Sequence, residues 1–239
     1  MTQKDFENIL FIDIETVPIT KSYKDLPEVF RKLWNDKHLL LKDTTDEPSL
    51  SFESRAGIYA EFGKIICISA GFFFLDKKER NFRVKSFSSD NEAEILKEFA
   101  DLLSKNFNTT KHIICGHNIK EFDIPYICRR MLINGVRLPK NLDQSGKKPW
   151  ETNYIDTLQL WKFGDFKSYT SLKLLAALFN VDTPKDDIDG KDVARVYWQE
   201  NNLERIATYC QKDVLTTAQL LLRFNNLSLL QEDEVTFLT

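Results

Sequence analysis

The sequence offers no pair of cysteines at metal-binding spacing, and only four cysteines occur in its 239 residues: Cys67, Cys115, Cys128 and Cys210. Without a C-x-x-C unit, neither a structural zinc site nor a disulfide framework organises the fold. Each cysteine lies in an apolar or helical stretch, where a buried free thiol of a reducing compartment is the simplest reading. A basic surplus is missing too: 33 Lys and Arg stand against 36 Asp and Glu, a net charge of −3. Bulk charge therefore does not mark a nucleic-acid binder, but it does not exclude one that binds phosphates through cations held by carboxylates. No apolar run is long enough to span a bilayer, since the longest, Ile65 to Leu75, is interrupted by Ser69 and Gly71. The opening MTQKD lacks the apolar core of a secretory signal. The expectation is a cytoplasmic protein with no membrane partner.

What is present suits a folded α/β chain. Hydrophobic residues reach 42% and 18 residues are Phe, enough to fill a sizeable core. Asn8 to Ile14 (NILFIDI) is a compact apolar run ending in acidic residues and predicts a buried strand. Lys64 to Leu75 predicts a second strand, and the alternation from Asn81 to Phe87 predicts a third, at a sheet edge. His112 to Asn118 and Tyr154 to Asp156 predict two short strands. Helical spacing marks Asn91 to Ser104, Ile124 to Asn134 (with Pro125 in its first turn and Gly135 as its stop), Ser171 to Phe179, Lys191 to Glu200, and Leu203 to about Phe224. Leu138 to Asn153 is loop-like, and the C-terminal tail carries no signal. Thr20 to Phe62 differs from its surroundings: it is polar, with a helical stripe at Leu26, Phe30, Leu33 and Trp34. It reads as a partly helical insertion, expected to border the mouth of a site. One domain over 1–239 is expected, α/β in class, with a central mixed sheet flanked by helices.

Three short patterns carry chemistry. Asp13 and Glu15 stand two apart at the end of the first strand and so share a face. Their mutual repulsion calls for a cation or a proton, unless the chain simply leaves the sheet there into solvent. Asp123 follows Gly116-His117-Asn118 and Phe122 at the start of a helix, where it reads equally as an N-cap. Tyr209 and Asp213 share a face of the last helix, where an Asp is costly to bury unless paired or metal-bound. Taken together, four carboxylates at element ends make an all-oxygen donor set suited to Mg²⁺ or Mn²⁺. Two such ions about 3.5–4 Å apart serve in-line attack on a phosphodiester.

The order F-I-D-I-E-T (Phe11 to Thr16), N-x-x-x-F-D (Asn118 to Asp123) and Y-x-x-x-D (Tyr209 to Asp213) resembles the three motifs of DEDDy-type 3′→5′ exonucleases. These belong to the DnaQ-like, RNase H-fold superfamily. The Y-C-x-x-D form, with Thr216 and Thr217 downstream, is similar to proofreading exonuclease domains of family-B DNA polymerases, and the resemblance runs from about Asn8 to Phe224. It implies an RNase H-like fold and a free-standing 3′→5′ exonuclease dependent on two divalent cations. Asp13, Glu15 and Asp213 would hold the cation that activates water. Asp13 would also reach the second, served by Asp123, while Tyr209 would orient the water. Asn118 and Phe122 would shape the floor, and Thr16 and Val17 would lie beside the terminal nucleotide through backbone contacts.

The implied partner is single-stranded nucleic acid, DNA in preference to RNA, with a polymerase or repair partner in trans left open. The alternatives are an exoribonuclease with the same chemistry and a nucleic-acid-binding module without turnover. Arg129, Arg130, Lys147, Lys148, Lys162 and Lys167 are candidates for a phosphate track, and Trp150, Trp161, Phe163 and Phe166 for base stacking. Core packing is the simpler expectation for Trp161 and Phe163.

Overall fold

The computed structural model describes residues 1–41, 47–77, 79–143, 146–148, 151–165, 169–182 and 188–238. The first strand, β1 (Ile9–Pro18), runs past Ile14 and takes both Asp13 and Glu15 into the sheet. Next come helices α1 (Glu28–His38) and α2 (Pro48–Arg55), the long hairpin of β2 (Gly63–Asp76) and β3 (Glu79–Ser88), and helix α3 (Glu92–Asn106). β4 (Ile113–Gly116), α4 (Asp123–Ile133), β5 (Tyr154–Asp156) and α5 (Thr157–Lys162) follow. The chain ends with α6 (Leu172–Leu178), α7 (Val193–Arg195), α8 (Leu203–Phe224) and β6 (Val235–Leu238). After α7 the backbone continues as a π-helical turn, Val196–Glu200, where a plain helix was expected.

The strands join in one mixed sheet of order β5-β4-β1-β2-β3-β6. β1, β2 and β3 pair antiparallel, while β4 runs parallel to β1, β5 parallel to β4, and β6 parallel to β3. One expectation is corrected here. β3 is not an edge strand, because the tail returns as β6 and pairs Phe82 to Lys85 with Val235 to Leu238. After β5, α5 starts directly on Asp156, whose side chain caps it. Among the described residues, no helix is long and apolar enough to cross a membrane.

The two faces of β1 explain the layering. Leu10, Ile12 and Ile14 point into a cluster with Ile95, Phe99 and Leu103 of α3 and Ile127 and Met131 of α4. Ile9 and Phe11 point the other way, against Val214, Ala218 and Leu221 of α8. Val17, further along that second face, joins a separate cluster with Ile206 and Cys210. Strand and helix therefore run in opposite senses across the same two clusters, and Asp13 and Glu15 fall in the gap between them. A register shift between Glu15 and Thr16 interrupts the β1–β2 ladder at this point, the kind of irregularity that re-aims side chains beside a site.

The Thr20–Phe62 segment is partly helical, as expected, and has its own small core. Trp34 is buried between Phe52 and Phe62, with ring centroids 5.4 and 5.0 Å away, and its Nε1–H donates to the Pro48 carbonyl at 2.9 Å. Leu26 is buried with it, but Phe30 and Leu33 of the same stripe are 38% and 50% exposed. Thr16 ties the segment to β1 by donating from Oγ1 to the Gly57 carbonyl at 2.8 Å. Arg130 donates to the Ala60 carbonyl of the same segment at 2.9 Å and to Glu92 through Nε at 2.8 Å and Nη2 at 2.5 Å, while Glu92 also accepts from the Ile65 amide at 2.7 Å. This buried pair locks α3, α4 and β2 together, and removing one partner would cost about 3–5 kcal/mol.

The seating of α8 depends on a missing side chain. Gly71 of β2 lies beneath Val214, and a Cβ there would stand 2.8 Å from Val214 Cγ1 and 2.6 Å from Phe82 Cζ. Gly71→Ala is therefore expected to lower stability by about 1–3 kcal/mol, the usual cost of overpacking. Urea denaturation checks this; an unchanged midpoint would mean that α8 is not seated this closely on the sheet.

Candidate active site

A cleft of about 460 Å³ opens where β1, α4 and α8 meet, and its lining includes Asp13, Glu15, Asn118, Phe122, Asp123, Tyr209 and Asp213. Three sequence patterns thus converge on one place. β1 supplies the first pair in its extended frame. α4 supplies Asp123 at its first residue. α8 supplies Tyr209 and Asp213 one helical turn apart.

Electrostatics show how closely the groups crowd. Burial first, then the charges of Asp213 and Asp123, raise Asp13 well above the ordinary carboxylate range. Burial, then Asp13 and Asp213, do the same to Glu15. Burial raises Asp123 to about 7, against the pull of backbone N–H groups, its own and that of Ile14. The Ile14 amide lies between Asp13 and Glu15 in the chain, so this bond fastens the start of α4 to the acidic stretch of β1. Tyr209 is pushed upward by burial and by Asp213, Glu15 and Asp13, so its phenol stays protonated and hydrogen-bonds Asp213. Several carboxylates in a dry gap call for positive charge, and oxygen donors of this kind suit hard divalent cations. Asp13, Glu15, Asp123 and Asp213 are the residues that could hold them.

Cys210 was not foreseen as part of this site. Its Sγ sits 3.4 Å from both the carbonyl and the Oδ2 of Asp13, and its ligand atom lies within 4.8 Å of those of Asp13 and Glu15. Burial raises the thiol well above its ordinary range. It therefore remains an S–H donor that supports Asp13, and it does not add a thiolate to the donor set. The Y-C-x-x-D pattern is the sequence signal that places it there.

The second motif is held by a residue that the sequence did not single out. Asn118 adopts a left-handed φ of 64°, and the turn around it is fixed by the buried carboxylate of Asp156. Asp156 accepts from the amides of Asn118 (3.0 Å), Lys120 (3.1 Å), Leu158 (3.0 Å) and Gln159 (3.2 Å). His117 lines the cleft with both ring nitrogens engaged, Nδ1 with Thr157 Oγ1 at 2.9 Å and Nε2 with the Thr170 carbonyl at 3.0 Å. Burial lowers its proton affinity. A neutral ring that donates from Nε2 to a carbonyl holds the 169–171 segment in place and is not free to act as a base.

The other candidates divide. Thr16 and Val17 do not line the cleft: Val17 is fully buried in the core and the Thr16 hydroxyl faces Gly57. Arg130 is committed to Glu92 and is no part of a phosphate track. Trp150, Phe166 and Lys167 lie outside the described residues. Phe163, expected in the core, is 92% exposed, whereas Trp161 packs edge-on against Phe179 at 5.8 Å. No described residue of the Thr20–Phe62 segment lines the cleft itself; Lys21, Ser22, Asp25 and Glu53 line a separate one together with Lys191, which follows Gly190 of the first. Tyr169, Ser171, Leu172 and Lys173 border the first. Ser171 caps α6, and Leu172 and Lys173 are its first residues.

Comparison with known proteins agrees with this geometry. No curated relative matches the sequence. A family B DNA polymerase from the hyperthermophilic archaeon Pyrobaculum calidifontis superposes with a TM-score of 0.53 at 19% identity, over 90% of this chain and 24% of that one. The chain thus spans about a quarter of the polymerase it resembles, and at this identity the likeness establishes the fold, an RNase H-like α/β architecture. A family profile, described as a predicted 3′–5′ exonuclease related to the exonuclease domain of PolB, matches residues 58–236. The match contains Asp123, Tyr209 and Asp213 but begins after β1, so the fold alone brings Asp13 and Glu15 to the same cleft. The chain belongs to this family of predicted 3′–5′ exonucleases related to the exonuclease domain of PolB.

Proposed function

We propose that the chain is a DEDDy exonuclease that releases nucleoside 5′-monophosphates from the 3′ end of single-stranded DNA. The observation that carries this reading is the convergence of four carboxylates and one neutral tyrosine in a single cleft between β1, α4 and α8. The relation of the family to a polymerase exonuclease domain supports DNA as substrate. A polymerase or repair enzyme acting in trans would supply or receive the strand.

Asp13, Glu15 and Asp213 would hold one divalent cation, and Asp13 with Asp123 a second, either Mg²⁺ or Mn²⁺. Such ions, when bound, activate water at neutral pH and offset the charge that builds on the phosphate oxygens. The chain's own groups do the rest. Tyr209, kept neutral with its O–H donated to Asp213, has its phenol oxygen left to accept from the attacking water and align it. Cys210 steadies Asp13. Asn118 and Phe122 form the floor beneath the terminal nucleotide, in the turn that Asp156 fixes.

The raised carboxylates set the pH behaviour of the metal-free protein. At about pH 4 and below, folded and unfolded states both bind these protons and nothing is lost. Between the unfolded value, about 4, and the folded value of Asp123, about 7, the unfolded chain has already lost a proton that the fold still binds, and stability declines; above it both states are ionised and the Asp123 contribution levels off. In chelator the melting temperature is thus expected to fall between about pH 5 and pH 8, with Asp13→Asn flattening the fall. Adding Mg²⁺ or Mn²⁺ at the higher pH should restore the wild type and not the variant. A melting temperature indifferent to these cations would contradict the site.

Polarity and the role of Tyr209 are tested with end-labelled strands. A blocked 3′ end should stop digestion and a blocked 5′ end should not, while efficient cutting of circular single strands would show a different class of nuclease. Tyr209→Phe is expected to lower kcat by about 100-fold or more, the scale of a lost positioning contact, with an unchanged melting temperature. Wild-type turnover in that variant would reduce Tyr209 to a packing residue.

A further inference from the structure

A second cleft, of about 690 Å³, lies on the α8 face at the β5 edge of the sheet, walled by Leu160, Trp161, Phe163, Phe179 and Phe224. Trp161, Phe179 and Phe224 form an edge-to-face ladder with ring centroids 5.8 and 5.2 Å apart. Phe163 stands beside the ladder on a left-handed backbone (φ 45°), 92% exposed. A large ring held in solvent at a conformation that side-chain-bearing residues seldom adopt is not explained by packing. The rim of the cleft is basic. Lys120 and Arg223 line it, and the sole acidic residue among its described lining, Asp156, points its oxygens at four backbone amides.

The two clefts share a wall. His117 and Asn118 face the catalytic cleft and Lys120 faces the second, within one turn that Asp156 holds. α6 bridges them again, with Leu172 at the first and Phe179 just past its end at the second. Asp213 and Phe224 lie on the same helix, and at about 1.5 Å per residue their spacing is roughly 16 Å. Stacked nucleotides rise about 3.4 Å each, so a strand whose 3′ end sits on the carboxylates meets the ladder with about its fifth or sixth nucleotide.

We infer that this cleft is a second binding site for the same single strand, taking bases upstream of the 3′ end on its aromatic wall and their phosphates on Lys120 and Arg223. The inference rests on the nuclease reading above for the identity of the strand. Aromatic rings set among cations, with no free carboxylate among the described lining, suit an unpaired polyanion whose bases have exposed faces. They suit an acidic nucleic acid better than a neutral apolar peptide, which would not need the cations.

The test uses the full chain and fluorescence anisotropy with labelled dT3 and dT10, in Ca²⁺ in place of Mg²⁺ so that the strand is not consumed. Phe163→Ala removes an exposed ring and should leave the melting temperature unchanged. It is expected to weaken dT10 by about 5-fold or more, the effect of losing one base stack, and to leave dT3 unaltered. Hydrolysis of the p-nitrophenyl ester of thymidine 5′-monophosphate in Mn²⁺ should keep its wild-type kcat/KM. Arg223→Glu should repeat the pattern with a shallower salt dependence. Unchanged dT10 affinity in both variants, or equal loss on dT3 and dT10, would overturn the inference; the first result would leave the cleft to a protein partner. Failure of the wild type to hydrolyse the ester would count against the nuclease reading, while the anisotropy comparison would still decide the strand site.

Discussion

Asp13, Glu15, Asp123 and Asp213 repel one another across a gap that apolar packing has closed on both sides, and the rest of the structure is arranged around that repulsion. Left to themselves, the acids would take up protons, as burial and mutual charge already urge Asp13, Glu15 and Asp123 to do. The fold holds them because each is fixed by its own element. A strand ladder sets Asp13 and Glu15, a helix start bonded to the Ile14 amide sets Asp123, and a helix packed on two separate apolar clusters sets Asp213. The strain is local, and the packing that sustains it is spread over the whole sheet.

That division shows in where the close contacts fall. The absent side chain at Gly71 lets α8 approach β2, and Val214, next to Asp213, makes the contact. The Glu92–Arg130 pair holds α4 two turns beyond Asp123, so the helix that begins with Asp123 is anchored near its other end. Asp156 then fixes the turn through Asn118 from the flank. Each of these residues is buried or tightly packed, none needs to touch a substrate, and together they keep the acids from drifting apart.

Much of this was legible in the sequence where periodicity was long. β1, β2, α3, α4 and α8 carry enough apolar positions in one period to be read, and the three acidic motifs fall on β1, α4 and α8. The parts that were not legible are short or depend on distant partners. Val235 to Leu238 gains strand character only from pairing with Phe82 to Lys85, far away in the chain. α5 has six residues and a cap, too little for periodicity to register. Asp156 resembles any acid at a strand end until its four amide donors are seen together. The resemblance placed Thr16 and Val17 beside the nucleotide; β1 continues past the acids, which buries the Val17 side chain in the core and turns the Thr16 hydroxyl to Gly57. The long Thr20–Phe62 segment announced its helices, but not that Trp34 would gather them into a core of their own.

The central claim is that the buried carboxylates exist to hold divalent cations. Calorimetric titration of the protein with Mn²⁺ near neutral pH, repeated in buffers of different ionisation heat, tests it most directly. Asp123, with a folded pKa of about 7, and the higher-lying Asp13 and Glu15 must give up protons when a cation replaces them. The account predicts two Mn²⁺ per chain with net proton release, and loss of both in Asp13→Asn. Absence of saturable binding, or binding with no proton released, would contradict it.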